Sequence, residues 1–113
     1  MIHRGEIWWA ELAEPKGSEP GYRRPVLIVS SNDFNKSLIR TVLAVVLSSN
    51  LALAEAPGNV KISQEDTGLT KDSVANVSQL ITIDKDFLTE LVGAVPIKIL
   101  RQIEDGLRLV MKL

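Results

Sequence analysis

A chain of 113 residues has room for one hydrophobic core but not for a catalytic domain joined to a separate binding domain. Hydrophobic residues make up 45% and charged residues 24%, a globular balance that excludes wholesale disorder. A net charge of -1 and a pI near 5.8 exclude a nucleic-acid coat protein with a broad basic face, so any RNA contact must be a local patch.

Cysteine is absent, which removes disulfides, a thiolate nucleophile and Cys-ligated zinc. No apolar run reaches the roughly 18 residues of a membrane helix, and the opening Met1-Ile2-His3-Arg4-Gly5-Glu6 lacks the apolar stretch of a secretory signal. The expectation is a cytoplasmic domain spanning 1–113 with no membrane association.

In chain order, Gly-Glu-Ile-Trp-Trp-Ala-Glu-Leu mixes aromatic and alternating residues and predicts a strand over 5–12. Trp8 and Trp9 then point to opposite faces, so at most one is free, and subunit packing is its expected use rather than base stacking. Pro15, Gly17, Ser18, Pro20 and Gly21 make 13–22 an exposed loop long enough to carry function. A strand buried on both faces is expected over 25–31, with Pro25 tolerated as its first residue. Ser31 or Asn32 caps about one helical turn over 32–37, and 41–47 reads as a second buried strand. The segment 50–57 is a loop with enough Leu and Ala to be helical or partner-bound. Short strands are expected over 60–63, 73–77, 79–84 and 88–92, separated by Asp66-Thr67-Gly68 and other polar turns, a spacing typical of small β-barrels. From Pro96, suited to the first helical position, Ile97, Leu100, Ile103, Leu107 and Val110 mark one face of a closing helix. Gly106 costs that helix about 1 kcal/mol relative to Ala.

The chemistry concentrates where Gly17-Ser18-Glu19-Pro20-Gly21-Tyr22 delivers Arg23 and Arg24 to the mouth of a buried strand. Strand alternation points one of the pair toward a cleft and the other toward solvent or the loop. A guanidinium there offers a planar fork of donors for phosphate oxygens. The alternative is a solvated charged pair balanced by Glu19. His3 is the only histidine, which excludes a two-histidine acid–base mechanism within one chain.

Arg4-Gly5 before Glu6-Ile7-Trp8, then Gly17-Ser18-Glu19, Arg24-Pro25-Val26, Ser73-Val74, Gln79 and Thr82-Ile83-Asp84 resemble, in order and spacing, the MazF/PemK family of toxin–antitoxin mRNA interferases. The resemblance runs from Arg4 through the closing helix. It implies a mainly β fold, an SH3-like barrel with a C-terminal amphipathic helix. It further implies a homodimer that cuts single-stranded mRNA at short motifs without metal or other cofactor, held in check by an antitoxin whose disordered acidic tail fills the RNA groove. On that pattern Arg24 and Ser48 are catalytic, Ser48 standing where a threonine is commoner. Glu19 resembles a loop glutamate that accepts the 2′-hydroxyl proton. Arg23, Lys16 and Gln79 are RNA-contact candidates. Near Gln79 the chain departs from the family, with Ser78 where relatives often carry an acid and Ile81 where they often carry arginine. The competing expectation is a non-enzymatic toxin of the same fold that binds a protein such as DNA gyrase, as CcdB toxins do.

Overall fold

The structure is a computed structural model, and it describes residues 1–13, 17 and 22–113. Its strands are β1 (Glu6–Leu12), β2 (Tyr22–Ile28), β3 (Thr41–Ser48), β4 (Val60–Ile62), β5 (Ser73–Asp84) and β6 (Leu88–Ala94). Its helices are the single turns α1 (Asn32–Lys36) and α2 (Gln64–Thr67) and the closing helix α3 (Ile97–Met111). The strands form one antiparallel, curled sheet in the order β4-β5-β3-β2-β1-β6, the expected mainly β, half-barrel architecture with a C-terminal helix.

The apolar runs in β2 and β3 are buried on both faces, as their sequences predict, except at the exposed Leu43, because this sheet has a core on each side. Ile7, Leu27, Val45, Leu47 and Ala75 face Leu100 and Ile103 of α3. The alternate residues Ala10, Val26, Ile28, Val42, Ala44 and Val46 build a second cluster with Ile83 and Leu88. Trp8 packs against that second cluster.

Three local expectations change, and one left open, the order of 50–57, is decided. First, β2 starts at Tyr22, so Pro25 lies inside the strand, opposite Trp9. It is tolerated because β3 pairs with β2 only over Val26–Ile28, leaving the first half of β2 bonded to β1 alone. Second, the two strands expected over 73–84 are one strand with a bulge: Val45 pairs with Leu80 but Val46 with Asn76, so Val77, Ser78 and Gln79 have no β3 partner. Asn59 ties the bulge down, accepting from Val77 N–H at 3.0 Å and donating to Asn76 Oδ1 at 3.3 Å and to the Leu53 carbonyl at 2.8 Å. Third, Leu53 belongs to a 3-10 turn over Leu51–Glu55, which gives the segment 50–57 its own order. Fourth, Pro96 is the cap before α3 rather than its first residue, and Ile97 and Val110 are exposed. The helix meets the sheet through its middle turns and both ends overhang.

Gly106 is buried where α3 crosses the turn at Gly58. A Cβ at Gly106 would stand 2.1 Å from the Gly58 carbonyl oxygen. The helix tolerates glycine there because no other residue lets the two backbones approach so closely.

Capping follows local chemistry. Ser31 Oγ accepts from Phe34 N–H at 3.1 Å, which identifies Ser31 rather than Asn32 as the α1 cap. Gly68 ends α2 in the left-handed region at φ 83. Arg4 fastens the N-terminus, pairing with Glu104 of α3 at 2.6 Å and donating from Nε to the Val29 carbonyl at 2.9 Å. Among the described residues, no helix is long and apolar enough to cross a membrane.

Candidate active site

A cleft of about 310 Å³ opens beside the N-terminal half of β2. Trp9 of β1, Arg23, Arg24 and Pro25 of β2, and Leu47 and Ser49 at the end of β3 form one wall. Leu69, Thr70, Lys71 and Ser73, on the turn that leads from α2 into β5, form the other. Three cations and no carboxylate stand among these residues. Among the described residues these three cations form the kind of local patch that RNA contact would need on a chain of net charge -1, with Arg23 paired to Glu11 and Glu90.

Both arginines line the cleft, where strand alternation predicts one. Over 22–25 β2 does not pair with β3, which leaves an open edge that a side chain from either face can reach. Arg23 is held firmly. Its Cζ lies 4.2 Å from the centre of the Trp9 ring, its Nη2 donates to Glu90 Oε1 at 3.2 Å, and its Nε lies 3.7 Å from Glu11 Oε1. The register explains the cluster, since Arg23 is opposite Glu11, Pro25 is opposite Trp9, and Trp9 is paired with Glu90 of β6. Trp9 is thus a wall of the cleft, a use the sequence reading did not assign to it.

Ser48 stands at the last position of β3, paired with Val74 of β5. Its neighbours Leu47 and Ser49 line the cleft and Ser48 does not, because alternate strand residues face opposite ways. Ser48 nevertheless shares a face with Arg24. The β2–β3 ladder ends at Val26–Val46, and two residues further in the same register Arg24 would oppose Ser48. The Ser48 Oγ accepts from Asn50 N–H at 3.1 Å, which fixes the hydroxyl oxygen and leaves its proton to be donated elsewhere.

The remaining candidates divide. Gln79 sits half-buried in the β5 bulge, away from the cleft lining. Lys16 and Glu19 fall outside the described residues. His3 is engaged with Glu6, accepted by Oε1 through its backbone N–H at 2.7 Å and lying 3.5 Å from Oε2 through Nδ1, and it does not reach the cleft. The sequence reading missed Lys71. The available signal was its place, three residues past the turn glycine Gly68 and two before the strand start at Ser73.

A family model described as PemK-like, MazF-like toxin of type II toxin–antitoxin system matches residues 3–111. The chain is 46% identical over 113 residues to Endoribonuclease MazF6 of Mycobacterium tuberculosis, covering 100% of this chain and 99% of that protein. It is 28% identical over 109 residues to Endoribonuclease EndoA of Bacillus subtilis, covering 96% and 93%. Among solved structures, an endoribonuclease in complex with its cognate antitoxin from a mycobacterial species superposes with a TM-score of 0.82 at 26% identity, covering 100% of this chain and 97% of that one. An end-to-end match in sequence and in fold leaves one assignment: the chain belongs to the PemK-like, MazF-like toxin family of type II toxin–antitoxin systems and is an endoribonuclease of that kind.

Proposed function

We propose that this endoribonuclease toxin, acting as one domain over 1–113, cleaves single-stranded mRNA at a short sequence motif without metal, by attack of the RNA's own 2′-hydroxyl. The cleft beside β2 carries the reading, because Arg24 and Lys71 line it with no carboxylate among the described lining residues, which gives a slightly acidic chain a local place for a phosphate backbone.

In the proposed reaction the 2′-oxygen bonds to phosphorus, the 5′-oxygen leaves, and the products carry a 2′,3′-cyclic phosphate and a 5′-hydroxyl. Arg24 supplies charge to the crowded phosphate, where a preorganised donor strengthens as negative charge accumulates. Ser48, which an extension of the β2–β3 register would set opposite Arg24, donates a hydrogen bond to the same phosphate or to the leaving 5′-oxygen, which takes its proton from solvent. Glu19 of the β1–β2 loop is the proposed acceptor of the 2′-hydroxyl proton. Gln79, Lys16 and Arg23 are proposed RNA contacts. A homodimer is the proposed working form. The proposed partner is an antitoxin whose acidic tail competes for the cationic cleft, and the antitoxin complex among the similar structures supports that choice. The proposed compartment is the cytoplasm, and the endoribonuclease relatives favour cutting over the gyrase-binding alternative.

The test is incubation of the purified protein with a long single-stranded RNA in EDTA, with cut ends mapped and their chemistry determined. The expected result is cutting at a recurring motif with cyclic phosphate ends, lost in Arg24→Ala. Cutting only after metal is restored, or at an unchanged rate in Arg24→Ala, refutes the mechanism.

A further inference from the structure

The geometry points to Arg23 as a stacking platform for an RNA base rather than a phosphate ligand, forming with Trp9 a base subsite at the rim of the cleft. The inference rests on the RNA-cleaving reading above and says how one of its contacts works.

A guanidinium grips a phosphate through the N–H groups along its edge and a nucleobase through its flat face. The Nε–Nη2 edge of Arg23 is already occupied, with Nη2 bonded to Glu90 Oε1 at 3.2 Å and Nε 3.7 Å from Glu11 Oε1. A phosphate arriving on that edge would meet two carboxylates, both more than half exposed and both of its own sign. The face is a different matter. One side of the guanidinium lies over the Trp9 ring at 4.2 Å, and the side chain is still 45% exposed.

Glu11, Glu90 and Trp9 restrain the guanidinium, and the proposed platform is its face away from the indole. A base laid there extends an indole–guanidinium stack, which costs little ordering because three neighbours already fix the arginine. Exposed ion pairs of this kind add little stability to a fold. Orientation of the plane is the use that two such pairs on one side chain serve. The division of labour within the cleft follows: Arg24 and Lys71 meet phosphates, while Arg23 and Trp9 take a base, with purines favoured for their larger ring face.

The test uses Arg23→Lys, which keeps the charge and removes the plane. Binding of a 2′-O-methylated oligonucleotide containing the cleavage motif is measured for the wild type and Arg23→Lys, and for a series of oligonucleotides in which one base at a time is deleted to an abasic site. The expected result is one position where base deletion weakens wild-type binding roughly tenfold, within the range for single-base stacking. At that position Arg23→Lys binds intact and abasic RNA alike. An Arg23→Lys variant that binds every RNA like the wild type, or loses the same factor on all of them, overturns the platform while leaving the nuclease reading in place. A wild type that neither binds nor cuts RNA overturns both.

Discussion

Gly106→Ala sets two effects against each other, and the structure decides the sign. Alanine is the better helix former by about 1 kcal/mol, so propensity alone predicts a stabilised α3. The added Cβ, however, would sit 2.1 Å from the Gly58 carbonyl oxygen, 3.0 Å from its carbonyl carbon and 3.3 Å from its Cα. All three are backbone atoms of a turn whose own glycine has φ +82, so no side chain can swing aside. Helix and turn must part by more than an ångström, loosening Leu100, Ile103 and Leu107 from the sheet they cover. Overpacking of this kind costs about 1–3 kcal/mol, and contact with backbone on both sides argues for the upper end. The net expectation is a loss of about 2 kcal/mol. For a chain of this length that lowers Tm by about 8–10 °C. Thermal unfolding of wild type and variant at one fixed protein concentration measures it, because the proposed homodimer would make Tm concentration-dependent. An unchanged or raised Tm would refute the close-approach argument and restore propensity as the ruling effect.

Three further outcomes follow from the site and its supports. Arg24→Ala should lower cleavage by roughly 10²-fold or more with Tm unchanged within about 2 °C, since the residue is exposed, outside both core clusters, and its proposed role is to stabilise the phosphate; single-turnover cleavage and a melting curve check both halves. Ser48→Thr should keep cutting while Ser48→Ala slows it roughly 10-fold or more, the hydroxyl being the shared feature; equal rates for the two variants would remove Ser48 from the chemistry. Thr67→Val should cost about 1–2 kcal/mol in denaturant unfolding, because the buried hydroxyl accepts from Leu69 N–H at 3.0 Å and its loss leaves that donor unpaired. The same change should weaken RNA binding, as the turn it supports carries Lys71 into the cleft.

Periodicity revealed what short-range chemistry governs. The runs Val26-Leu27-Ile28 and Ala44 to Leu47 are apolar at every position because the sheet is covered on both sides there, and their continuity is visible in one sequence, whereas Leu43 extends the apolar run but is exposed. Leu100 and Ile103 announced the covered side of α3 by their spacing. The bulge was half-visible: the polar Ser78 suggested a break, but a three-residue bulge and a turn interrupt a sequence pattern alike, and Asn59 seventeen positions away from Asn76 decides between them. Gly106 looked like a defect until Gly58 appeared beneath it. The site divides along the same line. The double arginine was legible as a local cluster, whereas Lys71, Trp9 and Glu90 reach it only through cross-strand register and the turn after α2, which no local pattern records.

The parting of β2 from β3 beyond Val26 and Val46 leaves the two strands joined like the closed half of a zipper, with Arg24 and Ser48 on the parted tabs, each still paired on its outer side, to Ala10 of β1 and Val74 of β5. Open ends of a ladder separate first and most often, so protection from solvent exchange should rise from the tips toward Ile28 and Ala44. A strand of RNA held between the tabs would act as the slider. Binding would then be legible as slowed amide exchange travelling outward from Val26, even in a complex where no bond is cut.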